Sequence, residues 1–295
     1  MNTAQFKQWC ESYSSFALTN KLQKPLIMGV LNVTPDSFSD GGLYFQPENA
    51  LERALQMIGE GADLIDIGGE STRPGAQAIS CDEELSRVIP VIQQIRKRSD
   101  ICISIDTKKA QVMHEAIHAG ASVINDISGF QSDRSLAMAV ELDVPLCLMH
   151  MQGAPQDMQN NPQYTQDVVD EINLFFQQRI ETCLAAGIKR KNLILDPGFG
   201  FGKTPQHNMR IINQMTKFQQ HKLPIMIGVS RKSTLGVILN SSVEKRLAGG
   251  LAIAVYSALH GVAMIRTHDI AETNQALTMV QAINEASENN KTRAI

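Results

Sequence analysis

No basic run, no long apolar run and no paired-cysteine pattern occurs in this 295-residue chain. Lys and Arg number 27 against 30 Asp and Glu, a formal net charge of -3. That balance excludes nucleic acid as a bulk electrostatic partner. No apolar stretch approaches the roughly 18 residues that suggest a membrane span. The opening MNTAQFKQWCESY carries Glu11 and no apolar core, so a signal peptide is not expected. Cys10, Cys81, Cys102, Cys147 and Cys183 are odd in number, widely spaced and free of any C-x-x-C. They read as reduced, mostly buried thiols of a cytoplasmic protein, not as a disulfide frame. No repeat, linker or low-complexity tract divides the chain.

What is present is a recurring unit. Eight short apolar segments start at Leu26, Asp63, Ile101, Ser122, Val144, Asn192, Pro224 and Val262. Nearly all break off at their C-terminal end into polar or glycine-rich residues. Helical spacing fills the gaps: Leu51, Ala54, Leu55 and Ile58, then Leu85, Val88, Ile89 and Ile92. Ser80 with Glu83 makes a capping-box pattern, Gly187 closes a long helix, and Thr204-Pro205 opens another. Leu277, Val280 and Ile283 are expected to form the buried face of the last helix. Eight strands alternating with helices imply an α/β fold, a single-domain (β/α)8 TIM barrel, with chemistry at the C-terminal strand ends. Residues 1–24 form an N-terminal extension expected to pack on the barrel bottom or fray. Residues 25–287 form the barrel, and 288–295 are expected to be a disordered tail.

The polar residues at the strand ends suggest what is bound. Asp106 and Asp196 end apolar runs and Asp66 lies inside one. Buried carboxylates carry a desolvation cost unless paired or bound to donors. Several on one face suit a ligand rich in N–H groups, and Asn125 adds an amide that donates and accepts. Arg231, Lys232, Arg266 and His268 gather at the last two strands, where barrels often bind phosphate. Asn32 could hold a hard cation such as Mg2+, which leans on substrate phosphates. Two long segments, Thr34 to Gly42 and Glu70 to Ala76, suit a mobile lid.

Two motifs have weaker readings. Residues 198–204 (GFGFGKT) end like a P-loop, but Pro197 stands where glycine is required. A glycine-rich loop bringing a flat ligand close to backbone, or a tight turn alone, fits better. His114-Glu115-Ala116-Ile117-His118 matches H-E-x-x-H but falls on an outer helix, where a solvated face is the better reading.

The segments LNVTPDSFSDGG, DIGGESTRPGA, SIDT, INDISG, LMHMQG, LDPGFGFGK, GVSRKS and IRTHD resemble, in order, the signatures of the dihydropteroate synthase family. The resemblance covers about residues 25–287. It implies condensation of 6-hydroxymethyl-7,8-dihydropterin pyrophosphate with 4-aminobenzoate, Mg2+ as cofactor and a homodimer. It places the pterin on Asp66, Asp106, Asn125, Met149, Asp196, Gly228 and Lys232. Pyrophosphate would meet Asn32, Arg266 and His268, with the metal at Asn32. Phe38, Thr72, Arg73, Pro74, Phe201 and Ser233 would frame the aminobenzoate, and Asp36, Arg73 and Lys232 would serve the catalytic step. The family's usual RVHD stands here as Arg266-Thr267-His268-Asp269, and the changed residue alternates with the two ligands. Alternatives are a pterin-dependent methyltransferase barrel and a pterin-binding paralogue without turnover.

Overall fold

The computed structural model describes residues 1–16, 23–34, 47–73 and 75–292. Helix α1 (Thr3–Phe16) comes first. The barrel then runs β1 (Leu26–Asn32), α2 (Pro47–Glu60), β2 (Leu64–Gly68), α3 (Cys81–Arg96), β3 (Cys102–Asp106), α4 (Ala110–Ala119), β4 (Val123–Asp126) and α5 (Asp133–Leu142). It continues with β5 (Leu146–Met149), α6 (Val168–Ala185), β6 (Leu193–Asp196), α7 (Pro205–Asn213), β7 (Met226–Gly228), α8 (Ser233–Leu239), α9 (Leu247–Leu259), β8 (Met264–Thr267) and α10 (Ile270–Thr292).

All strand pairs are parallel, in the order β6-β5-β4-β3-β2-β1-β8-β7. A parallel bridge between Leu195 and Ile225 joins β6 to β7 and closes the ring. The expected (β/α)8 barrel is therefore the observed one. Because strand side chains alternate, each apolar run feeds two cores. Ile27, Leu31, Ile65, Ile103 and Ile105 pack outward under the helices. Leu26, Met28, Leu64, Cys102, Val123, Cys147, Ile194, Met226 and Met264 fill the interior.

The N-terminal extension plugs that interior from below. Phe6 and Cys10 of α1 are buried in the interior cluster, and Phe6 stacks on Trp9. The Met1 ammonium donates to Asp63 O at 3.0 Å, and Cys102 N–H donates to Met1 O at 2.8 Å. The chain start is thus tied to the N-terminal ends of β2 and β3. All five cysteines are free, and four are buried.

Three expectations change. In α2 the barrel-facing residues are Ala50, Ala54 and Met57, while Leu55 is exposed. In α10, Leu277 is buried but Ile283 is 65% exposed. The segment 288–295, expected to be a disordered tail, is helical as far as Thr292. The Ser80 side chain caps α3 by accepting from Glu83 N, and Thr204 with His207 completes a reciprocal capping box on α7.

Phe6→Ala should destabilise the fold by about 3–5 kcal/mol, because it empties a ring-sized volume in a closed core. Urea unfolding checks this. A loss below about 1 kcal/mol, inside the range of ordinary surface changes, would show that α1 is not part of the core.

Candidate active site

Strand register decides which side chains share the barrel mouth. Asn32, Gly68, Asp106 and Asn125 stand level across four neighbouring strands. Met149 is level with Asp196, and Gly228 with Arg266. Each is an even number of residues from an interior apolar side chain on its own strand, so each faces inward. Asp66 lies one layer deeper, level with Val30 and Ser104.

Arg266 joins the carboxylates. Its Nε donates to Asp66 Oδ2 at 2.7 Å and its Nη2 to Asp106 Oδ2 at 2.9 Å. Asn125 Nδ2 also donates to Asp66 Oδ2, at 3.1 Å. Asp66 Oδ1 and Asn125 Oδ1 are buried acceptors without a hydrogen-bond partner. Such oxygens are costly unless a donor arrives, so the floor is built for a ligand that brings N–H groups. Arg266 therefore reaches into this floor, beyond the anion-binding role expected of it beside His268.

Around the rim, Lys232 precedes α8 and donates to Phe199 O. Its Nζ lies 4.4 Å from the centre of the Phe201 ring, within cation–π range. His268 N–H donates to Ser230 Oγ at 3.2 Å, and its Nδ1 lies 3.1 Å from the same oxygen. Ser230 in turn donates to Asp269, which pairs with Arg231 at 2.6 Å. Asn32 Oδ1 lies 3.8 Å from the position a Cβ on Gly68 would take, beside Asp106. It is a neutral, hard oxygen at the same edge of the mouth. Ser233 and Arg73 are exposed and Thr72 is half-buried. Asp36, Phe38 and Pro74 lie outside the described residues.

Burial raises the Asp106 carboxyl above the usual range, with Arg266 opposing and Asp66 adding to the rise. Burial also raises Asp196, against Lys232 and the Gly198 N–H. The Lys232 ammonium is pushed down to about 8 by burial, with Asp196 opposing. Burial and the Arg266 and Arg231 charges push His268 down to about 3. Its imidazole is thus neutral in the free protein. It is not a standing positive charge there. It contributes hydrogen-bonding nitrogens instead.

The loop after β2 is tied down among its described residues. Glu70 accepts from Lys109 at 2.6 Å and pairs with Lys108 at 3.2 Å, and Gly75 N–H donates to Pro155 O at 3.1 Å. The loop after β6 owes its glycines to its neighbours. Gly198 and Gly202 have positive φ, and a Cβ on either would fall 1.9 Å and 2.2 Å from the carbonyl oxygens of His150 and Gln152. Both glycines serve the packing of this loop against the one after β5. His114 and His118 sit on α4 in the outer ring, their rings tilted by 32° with centroids 4.1 Å apart. Among the described residues no group of three potential metal-ligating side chains occurs.

Lys203 and Asn208 are among the buried polar residues whose roles escaped sequence reasoning. Lys203 is buried and donates to Phe201 O at 2.9 Å, with His150 Nδ1 at 3.0 Å. Asn208 is fully buried on α7. The signal for Asn208 was its helical spacing with Ile211 and Ile212, which put an amide on a core-facing stripe.

A family model described as pterin binding enzyme matches residues 28–268. The dihydropteroate synthase of Escherichia coli K12 is 47% identical over 270 residues, covering 92% of this chain and 95% of that protein. The Yersinia pestis dihydropteroate synthase, solved with a sulfonamide drug, superposes with TM-score 0.85 at 48% identity, covering 90% of this chain and 96% of that one. The Xanthomonas albilineans enzyme superposes with TM-score 0.84 at 42% identity with 4-aminobenzoic acid bound (89% and 94% covered). With 7,8-dihydropteroate bound it superposes with TM-score 0.80 at 39% identity (89% and 95% covered).

Replacing Arg266 by Met should destabilise the fold by about 3–5 kcal/mol near neutral pH, because it leaves buried carboxylates unpaired. Burial already raises the Asp106 carboxyl against Arg266, so in the variant it binds its proton more tightly folded than unfolded. Stability should therefore recover as pH falls. Urea unfolding at pH 8 and pH 5 checks this, and an equal loss at both would count against the pairing.

Proposed function

The chain belongs to the dihydropteroate synthases of the pterin-binding enzyme family, and from that premise we propose how its residues divide the work. It is a transferase of folate biosynthesis. It condenses 6-hydroxymethyl-7,8-dihydropterin pyrophosphate with 4-aminobenzoate, giving 7,8-dihydropteroate and pyrophosphate. It is also a sulfonamide target of the kind the Yersinia relative represents. The synthase reading stands over the methyltransferase and the binding-only alternatives.

The observation that carries the division is the acceptor-rich floor. The orphaned oxygens of Asp66 and Asn125, with Asp106 and Asp196, suit the amidine-like edge of a pterin. Lys232 donates from the rim, Met149 packs from β5, and Gly228 leaves room beside Arg266. The reaction we propose is dissociative. The bond between the pterin methylene carbon and pyrophosphate oxygen breaks first, and its electron pair leaves with pyrophosphate. Arg266 and His268 receive that group. The cation left behind is delocalised over the pterin, and the fixed carboxylates stabilise it. The aminobenzoate, framed by Phe201, Ser233, Thr72 and Arg73 together with Pro74, which lies outside the described residues, then donates its amine lone pair to the methylene carbon, and the amine proton passes to solvent water. Asp36 and Phe38, which the family resemblance assigns to the catalytic step and to the aminobenzoate, lie outside the described residues. Positioning and electrostatics supply the rate, and no side chain acts as a covalent nucleophile.

Mg2+ fits the donor set. Asn32 offers one hard oxygen, and such a single protein ligand suits an ion that keeps waters and leans on substrate phosphates. When bound, the ion supplies charge neutralisation on the leaving pyrophosphate. A homodimer is supported by exposed apolar residues on three adjoining helices, among them Val237, Ile238, Leu247, Leu259 and Met279. A cytoplasmic setting is supported by five free thiols. Among the described residues no helix is long and apolar enough to cross a membrane.

The direct test mixes both substrates with Mg2+ and follows pyrophosphate release together with dihydropteroate. With both substrates present, pyrophosphate release without formation of dihydropteroate would refute the coupled reaction. Asp106→Ala should weaken pterin binding, read by calorimetry. The Lys232 ammonium is lost above about pH 8, so kcat/KM for the pterin substrate should fall on that side. Lys232→Arg should move the fall to higher pH. In stability the sign is opposite: between about 8 and the unfolded value of 10.5 the folded chain binds fewer protons, and this group's contribution rises with pH. Sedimentation should give twice the 32.5 kDa chain mass, and Val237→Glu should shift it toward one.

A further inference from the structure

We propose that Asn208 is a positioning residue for the aminobenzoate half of the site. It acts as a buried strut setting the gap between the β6–α7 loop that carries Phe201 and the start of α8 that carries Ser233. The proposal rests on the assignment of Phe201 and Ser233 to that half-site.

Asn208 is fully buried. Its Oδ1 accepts from Gly200 N–H at 2.8 Å. Its Nδ2 donates to Thr234 Oγ1 at 2.9 Å and, at a longer 3.4 Å, to Lys203 O. Gly200 is next to Phe201, and Thr234 is next to Ser233. One amide therefore spans both walls. Asparagine is a poor helix former and a costly core residue, yet it takes the place on α7 that packs with Ile211 and Ile212. The bonds to Gly200 and Lys203 tie down the loop that leads into α7, but the bond to Thr234 reaches a different element, the start of α8.

Among the described residues the walls have one other direct hydrogen bond on this side, from Lys232 Nζ to Phe199 O, and the same ammonium sits over the Phe201 ring. That ammonium also serves the pterin, so an arriving substrate competes for the bond. The bonds of Asn208 lie behind the walls and face no such competition. The fit is tight as well. A Cβ on Gly200, whose φ is +86°, would come within 3.0 Å of Lys232 Cδ. Displacing Gly200 would therefore move the Lys232 stem and the Phe201 ring together, and misplacement on the scale of an ångström is enough to disturb a bound reactant.

The test is steady-state kinetics with both substrates varied independently. Asn208→Leu and Thr234→Val each remove the Asn208–Thr234 bond. Each should raise KM for 4-aminobenzoate about 10-fold while leaving KM for the pterin pyrophosphate within about 2-fold, the smaller change expected where the contacts stay in place. The double variant should be no worse than the more damaging single one, because both act on one bond. Thr234→Ser, which keeps the hydroxyl, should stay near wild type. Asn208→Asp still accepts from Gly200 and can accept from the Thr234 hydroxyl, so it should recover most of the loss. If Asn208→Leu does not fold, Thr234→Val carries the test. Lowered thermal stability with an unchanged aminobenzoate KM would overturn the strut. So would a proportionate change in both KM values, which marks general loosening. Phe201→Ala separates the two layers of inference. An unchanged aminobenzoate KM there overturns the wall assignment and the proposal with it. A raised one beside unaffected strut variants overturns the strut alone.

Discussion

Asp66, Asp106 and Asp196 can share a closed barrel mouth only because cations stand among them. Three ionised carboxylates in a low-dielectric interior would repel one another and lose their hydration. Arg266 bridges Asp66 and Asp106, and the charges of Lys232 and Lys203 act on Asp196. The neutralisation is incomplete by design of the geometry: oxygens of Asp66 and Asn125 keep no partner. Those oxygens, held rigidly in strands, can recognise the N–H edge of a heterocycle. The same negative field can steady a cation formed when a phosphate-type group leaves. Binding and chemistry thus draw on one arrangement of charge.

The cations meet opposite demands at one site. Lys232 stays near its charged range because Asp196 offsets part of its burial. His268 does not, because Arg266 and Arg231 push in the same direction as burial. Two neighbouring basic residues therefore enter the reaction in different states. Reading both as standing positive charges, as their sequence positions invite, misses that distinction. The state of His268 is set first by burial, then by Arg266 two residues before it on β8 and by Arg231 of the β7–α8 turn.

The fold was legible because the barrel writes itself twice in each strand. Alternation sends one set of residues outward under helices and the other inward. The interior set changes from Leu64 to Asp66, or from Cys102 to Asp106, within four residues. That switch from apolar to polar marks the mouth without any alignment. Helix faces were less legible. Leu55 and Ile283 fit a helical stripe but point outward, because spacing fixes which residues share a face and not how the helix is rolled on the barrel. The glycines after β6 were legible as special positions but not in their purpose. Only the carbonyls of His150 and Gln152 approaching from another loop explain them.

What sequence reading passed over most completely is the layer behind the site. Motifs select residues that touch substrate, since their chemistry is distinctive. Lys203 and Asn208 touch backbone and a threonine instead, so their roles exist only once distant loops have met. Yet the substrate-facing groups have little authority of their own. Lys232 is a flexible side chain whose position is set by Phe199 O and the Phe201 ring. Those in turn hang on a glycine-rich loop with few side chains to anchor it. A loop whose glycines are demanded by close packing cannot stiffen itself with bulky residues. Its order must come from polar contacts made at the backbone, which is what a buried lysine and a buried amide provide. The second layer is therefore a consequence of the first: the glycines that let two loops nest require the buried donors that hold them there.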